Sequence, residues 1–256
     1  MQLPSFAVII PMFNEESGAE ICIRAVCSEL DRISNRTVLI IVDDGSTDKT
    51  GQILSEMTSS WPFLKVASHT VNRGYGAALR TGIETAAKYK VEYALFMDSD
   101  LTNHPADISR FAECMCGGFD VIKATRYSHG GKVHGVPFYR LAISAVGNRL
   151  ATLLFGLPLH DCTNGFRAVR VPLLLQMKLI ENRFPVIMEE LYWLKYMTKS
   201  FTELPVTLTD RAEGQRPTAF VYKPSVFYSY LKYPLRAFLG IRPSRNQMSG
   251  SQGEMK

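Results

Sequence analysis

The chain has 256 residues, 46% hydrophobic and 21% charged, ordinary values for a globular protein with enough length for a large α/β core. Its net charge of +5 suits anionic ligands or an anionic membrane surface but is too small to argue for nucleic acid. No stretch of about twenty uninterrupted apolar residues occurs. The nearest, 141–157, carries Asn148 and Arg149, so no transmembrane helix is expected. Val8-Ile9-Ile10 is too short for a leader's apolar core, and none is expected. Cys22, Cys27, Cys114, Cys116 and Cys162 are odd in number and form no CxxC; they read as reduced core thiols of a cytoplasmic chain, not as metal ligands.

Along the first half, short apolar runs alternate with helical spacing. Strands are expected over 6–11, 38–42, 64–67, 91–97 and 121–124. Helices are expected over 15–33, 50–60 and 77–88, and from Pro105 to near Gly117-Gly118. The small polar residues Asp43-Asp44-Gly45-Ser46-Thr47-Asp48 read as a turn and a helix N-cap. Repeated strand–helix units imply an α/β fold with a mostly parallel central sheet and helices on both faces.

The second half breaks this rhythm. Residues 127–135, rich in Gly, His and Lys, read as a mobile loop, 138–155 as a helix and 159–169 as loop-rich. A helix over 186–198, a strand over 204–209, a polar stretch over 210–218 and a helix over 224–239 interrupted at Pro234 follow. From 243 the chain is polar and Gly/Ser-rich, the composition of a disordered tail. No repeat or linker divides the rest, so a single domain over 1–242 is expected.

Chemistry concentrates where strands end. Asp98-Ser99-Asp100 follows the apolar run 91–97, at the edge where open α/β sheets bind ligands. Two hard oxygen donors there suit Mg²⁺ or Mn²⁺, which can hold a diphosphate; a pair of solvated loop acids is the alternative. Pro11-Met12-Phe13-Asn14-Glu15 and Asp43-Asp44-Gly45-Ser46 end the first and second strands. In a parallel sheet these three ends share one rim, and so many acids repel unless a cation or ligand donors lie among them.

These motifs, with Asn72-Arg73-Gly74-Tyr75-Gly76-Ala77-Ala78 between them, resemble family-2 glycosyltransferases over roughly the first 125 residues. The resemblance implies a GT-A fold. It implies that Pro11, Phe13, Glu15, Asp43 and Asp44 receive a nucleotide's base and ribose, with Arg73 beside it. It further implies that Asp98, Ser99 and Asp100 meet the diphosphate and that Asp100, assisted by Asp98, holds the metal. Thr102 stands where many mannose-transferring relatives have Gln, a second possible metal ligand.

Further along, Ala124-Thr125-Arg126-Tyr127, Gly130-Gly131, Arg140 with Ser144 and Asn148, and Asp161-Cys162-Thr163-Asn164-Gly165-Phe166-Arg167 are similar to polyprenyl-phosphate sugar transferases, dolichol-phosphate mannose synthases among them. There, residues like Arg126, Arg140 and Ser144 contact donor and acceptor phosphates. Arg140 and Ser144, four apart, share a helix face, and arginine's fork pairs with phosphate oxygens. Phe166 reads as core and its segment as the site floor. Asp210-Arg211-Ala212-Glu213-Gly214 matches the family's Arg-x-x-Gly loop over the diphosphate and makes Arg211 a further catalytic candidate. Gln215-Arg216-Pro217 departs from the usual small residue, Ser and Lys.

Glu189 and Glu190 open a helix and are candidate general bases for a hydroxyl acceptor; a macrodipole partnership is the plainer reading. Aromatics mixed with Lys223, Lys232 and Arg236 across 220–239, without acids, suit a lipid headgroup boundary, and a helix packed on its own sheet would look similar. The expectation is a metal-dependent, inverting hexosyltransferase, GDP-mannose favoured as donor and a polyprenyl phosphate as acceptor. It would act at the cytoplasmic face of a membrane, with a membrane-spanning protein as a candidate partner. Two rivals stand: transfer to a hydroxyl through Glu189 or Glu190, and a non-catalytic nucleotide-sugar-binding subunit. A nucleotidyltransferase would want a glycine-rich loop after the first strand, and 11–15 has none.

Overall fold

The computed structural model describes residues 3–33, 37–133, 135, 138–209 and 224–244. β1 (Phe6–Met12) is buried nearly throughout, as a strand covered on both faces must be. α1 (Ala19–Ile33) starts four residues later than its apolar spacing suggests. Asn14 takes a left-handed φ of 52°, and the Glu15 N–H donates to Thr50 Oγ1 at 2.7 Å, so 15–18 forms a turn ahead of the helix. β2 (Thr37–Asp43), α2 (Thr50–Met57), β3 (Leu64–Ser68), α3 (Tyr75–Lys88), β4 (Tyr93–Phe96), α4 (Asp107–Cys116) and β5 (Val121–Thr125) then follow the strand–helix alternation.

Beyond β5 come β6 (Lys132–Val133), α5 (Phe138–Phe155), β7 (Arg167–Arg170), α6 (Val171–Leu174), α7 (Val186–Met197), β8 (Phe201–Pro205), β9 (Thr207–Leu208) and α8 (Pro224–Phe238). Several expectations need correction. Part of the segment expected to be mobile, 127–135, pairs as β6 with β9. The strand expected over 204–209 is split into β8 and β9. The loop-rich stretch holds β7, and α8 runs through Pro234. The expected tail lies almost wholly outside the described residues.

The sheet has seven strands in the order β3-β2-β1-β4-β7-β5-β8. β1 pairs in parallel with β2 and β4, setting Met12 beside Asp43 and Ile9 beside Phe96. β7 enters antiparallel between β4 and β5, placing Arg167 beside both Phe96 and Lys123. Side chains alternate between the faces. Ile9, Ile40 and Phe96 pack in one core with residues of α3, α5, α7 and α8, while Val8, Ile41 and Leu95 pack in another with residues of α1 and α4. Phe166 is fully buried against Phe111, as its sequence context suggests. Cys22, Cys27 and Cys162 are buried, with Cys114 and Cys116 half-buried.

Candidate functional site

The carboxyl ends of β1, β2 and β4 lie side by side because β1 is the middle strand of the three. The loops after β1 and β2 are tied together: Asn14 N–H donates to Ser46 Oγ at 2.8 Å and Thr47 N–H to Asn14 Oδ1 at 2.7 Å. Asp48 Oδ1 accepts from the Thr50 N–H at 3.0 Å; it lies one residue ahead of the N-cap, which is Lys49, so the acid closes the turn into α2 rather than capping it. Pro11, Phe13 and Glu15 are half-buried along this rim.

Asp43 and Asp44 are both buried. Asp43 Oδ1 accepts the Ser46 N–H at 3.0 Å. Asp44 accepts the N–H of Arg73 at 2.9 Å and of Gly74 at 2.7 Å, and His69 Nδ1 lies 2.6 Å from it. His69 Nε2 in turn meets Thr81 Oγ1 on α3 at 2.8 Å. Asp44 therefore folds the loop ahead of α3 whatever else it contacts, and sequence reasoning did not single out His69. Arg73 is exposed on that loop.

Past β4, Asp98 and Asp100 are half-buried and Ser99 is buried between them. Tyr75 donates its hydroxyl to Asp98 Oδ1 at 3.2 Å, and burial, then the Asp98 charge, push the phenol well above its ordinary pKa. Gly165 lies against the same carboxylate: a Cβ there would stand 3.2 Å from Asp98 Oδ2. Asp100 Oδ1 accepts from the Thr102 N–H at 3.1 Å and hydroxyl at 2.8 Å, so Thr102 braces Asp100. Leu101 is held at φ 55°, a left-handed conformation costing a non-glycine residue about 1 kcal/mol.

Among the described residues no three His, Cys, Asp or Glu side chains converge as a metal cage. The donor chemistry nonetheless fits Mg²⁺ or Mn²⁺, which bind through one or two carboxylates and complete their shells with phosphate and water.

Across the sheet, Arg126 follows β5. Its guanidinium meets the fully buried Asp161 through Nε at 2.7 Å and Nη2 at 3.0 Å, and Thr163 Oγ1 at 3.0 Å. Burial alone would raise the Asp161 pKa; the Arg126 charge and hydrogen bonds, with Lys123, bring it below the usual value. Asn148 fastens this floor to α5, donating to Thr163 Oγ1 at 3.0 Å and accepting from the Cys162 N–H at 2.9 Å. Ser144, a turn earlier on α5, accepts the Tyr127 hydroxyl at 2.8 Å. The Arg140 side chain, Arg211 and the stretch Gln215-Arg216-Pro217 lie outside the described residues.

Both α7 glutamates face inward. Glu190 makes a two-pronged pair with Arg167 at 2.5 and 2.6 Å, both side chains buried. Glu189 accepts the N–H groups of Ile180 and Glu181 at 3.0 and 2.9 Å. Both carboxylates are thus engaged by partners inside the protein, Glu190 by Arg167 and Glu189 by the loop ahead of α7.

A mostly parallel sheet whose strand order reverses between β1 and β4, with an acidic rim at that switch point, is a GT-A fold. The chain belongs to glycosyl transferase family 2, whose model matches residues 7–177. It is 29% identical over 212 residues to the polyprenol monophosphomannose synthase of Mycolicibacterium smegmatis, covering 81% of this chain and 78% of that one. It is 30% identical over 234 residues to the dolichol-phosphate mannosyltransferase of Pyrococcus furiosus, covering 90% of this chain. It is 26% identical over 228 residues to an undecaprenyl-phosphate 4-deoxy-4-formamido-L-arabinose transferase of Aeromonas hydrophila, covering 87%. The matches span only 62% and 65% of the latter two proteins. The crystal structure of glucosyl-3-phosphoglycerate synthase from Mycobacterium tuberculosis with Mn²⁺, UDP and glucosyl-3-phosphoglycerate shares the fold. Its TM-score is 0.64 at 20% identity, over 94% of this chain and 82% of that one. The same enzyme has been solved with Mg²⁺ and UDP.

Proposed function

We propose that this chain is an inverting hexosyltransferase moving a sugar, mannose favoured, from a nucleotide diphosphate sugar to a polyprenyl phosphate at a membrane surface. One observation carries the acceptor: the three relatives above are each named for sugar transfer to a polyprenol, dolichol or undecaprenyl carrier. The chain works as one catalytic unit over 1–242, with a donor half (1–125), an acceptor half (126–218) and a surface segment (219–242) that contains α8.

In this reading Pro11, Phe13, Glu15, Asp43 and Asp44 seat the nucleoside, and Arg73 lies beside it. Arg126, Arg140 and Ser144 align the acceptor phosphate, and Arg211 adds charge over the diphosphate. An acceptor phosphate oxygen attacks the anomeric carbon opposite the departing nucleoside diphosphate, which inverts the centre. That oxygen is already ionised at neutral pH, so no general base is required, consistent with the internal bonds of Glu189 and Glu190. When bound by Asp98 and Asp100, Mg²⁺ or Mn²⁺ would neutralise charge on the diphosphate.

Access to a lipid is supported by two helices. α5 exposes Tyr139, Ile143, Val146, Leu150 and Leu153 along one side, and α8, packed against it, exposes Phe227, Tyr228, Leu235 and Phe238. Neither helix contains an acid, and no helix among the described residues is long and apolar enough to cross a membrane.

The test is transfer of labelled sugar from GDP-mannose and from UDP-glucose into a polyprenyl-phosphate extract, with Mg²⁺ and with chelator. Chelator-sensitive label in the lipid phase from one donor is the expected outcome. Asp100→Asn should abolish it while shifting the melting temperature by no more than about 2 °C, since the half-exposed carboxylate supports no core. Donor hydrolysis without lipid label would overturn the acceptor assignment.

A further inference from the structure

The loop ahead of α7 touches both the surface helix and the donor loop, and no motif marks it. On one side, Glu181 Oε1 accepts from Lys232 Nζ at 3.1 Å and from the Tyr233 hydroxyl at 2.8 Å, both on α8. On the other, its backbone lies directly on the start of α3. Gly76 N–H donates to Asn182 O at 2.9 Å, and Arg80 donates to Glu181 O at 2.7 Å and to Asn182 Oδ1. A Cβ on Gly74 would stand 2.3 Å from Asn182 O, and one on Gly76 would stand 2.1 Å from Glu181 O, so only glycines permit this approach. Glu189 holds the loop from beneath through the Ile180 and Glu181 N–H groups.

From that contact the donor rim is one step away. Gly74 and Arg73 donate their N–H groups to Asp44. Phe184 stacks on Tyr75 with ring centroids 4.8 Å apart, and Tyr75 donates to Asp98. A displaced Glu181 would therefore move both the loop that Asp44 folds and the ring that steadies Asp98.

We infer that Glu181 is a positioning residue, tying α8 to the donor loop so that the surface helix and the donor site hold each other in place. The inference rests on the reading of the rim as a donor site. By linkage, whatever seats α8 tightens the donor, and the donor steadies α8 to the same degree. Lys232 and Tyr233 act on the donor loop through Glu181, and Tyr233 also through Glu189, which holds the same loop.

The experiment measures affinity for GDP and UDP with Mn²⁺, and donor KM and kcat, in the full chain and in Tyr233→Phe, Lys232→Met, Glu181→Gln and Glu181→Ala. Tyr233→Phe keeps the buried ring and removes only a hydroxyl, so it reads the tie even if Glu181→Ala fails to fold. The expected result is nucleotide binding weakened about fivefold in Tyr233→Phe, with donor KM raised and kcat nearly unchanged. Its effect should be far from additive with Glu181→Gln. Amide exchange at Gly74 and Gly76 should quicken in the same variant. Wild-type affinity and KM in Tyr233→Phe, Lys232→Met and Glu181→Gln would overturn the tie alone. A wild-type chain that binds neither nucleotide would overturn the donor-site reading and the tie with it.

Discussion

Lys123 is a charged residue in the middle of the sheet, fully buried on β5, with Nζ donating to Asn164 O at 2.5 Å. Burial, and next the neighbouring Arg167 charge, lower its pKa to about 8 from 10.5. Between those values the unfolded chain holds a proton that the folded chain has lost, so this group makes stability rise with pH across that window. Below pH 8 both states are protonated and the cost of the buried ammonium is at its full size. Lys123→Met keeps the length and removes the charge. In urea unfolding at pH 7.5 and pH 10, the wild type should gain on the variant by at most on the order of 3 kcal/mol. A constant gap between the two would mean that the ammonium is not confined as described. The same residue shows what single positions reveal in advance. Asp98 and Asp100 were legible because acids following a buried strand have few structural uses. Tyr75, His69 and Glu181 were not, since an aromatic or acid in a polar stretch has no pattern until the chain is folded around it.

At the scale of elements, β7 explains a missed strand and the partner that Glu190 meets. Arg167-Ala168-Val169-Arg170 carries charges at both ends and reads as loop, yet it sits between β4 and β5. The fold tolerates Arg167 there because Glu190 from α7 meets it with two hydrogen bonds and Phe96 lies under its guanidinium at 4.2 Å. The continuous apolar runs of β1, β2 and β4 needed no such partner, which is why those elements could be read directly. Removing one member of a buried pair leaves the other uncompensated, a cost of about 3–5 kcal/mol. Glu190→Gln is therefore expected to lower unfolding stability by roughly 3 kcal/mol. Adding Arg167→Met should recover part of that loss, with residual activity tracking the folded fraction. A general base would give the reverse pattern, with turnover lost and the denaturation midpoint unchanged.

At the scale of the whole molecule, the exposed apolar faces of α5 and α8 are what the proposed membrane contact would bury. α8 was legible as a helix mixing aromatics with basic residues, and in the structure Tyr233 and Ala237 pack into the core while other aromatics face outward. The exposed apolar side of α5 was not legible, since 138–155 reads only as a helix with polar residues along it; in the structure Ala151 and Phe155 face inward while Val146 and Leu153 are 69% and 63% exposed. Burying one such side chain in a headgroup layer is worth about 1.5–3 kcal/mol, while each basic residue near anionic lipid adds about 1 kcal/mol that salt screens. The apolar term is thus the larger, and the two predict different sensitivities. The chain should co-sediment with phosphatidylcholine–phosphatidylglycerol vesicles, and raising salt to about 0.5 M should weaken the binding without ending it. Val146→Glu with Phe238→Glu should end it, because both residues are exposed and their loss leaves the core untouched. That variant should still transfer sugar to a short, detergent-soluble polyprenyl phosphate at close to the wild-type kcat, since the acceptor then no longer has to be reached through a bilayer. Undiminished sedimentation of the double variant would show that this face is not the one the membrane meets.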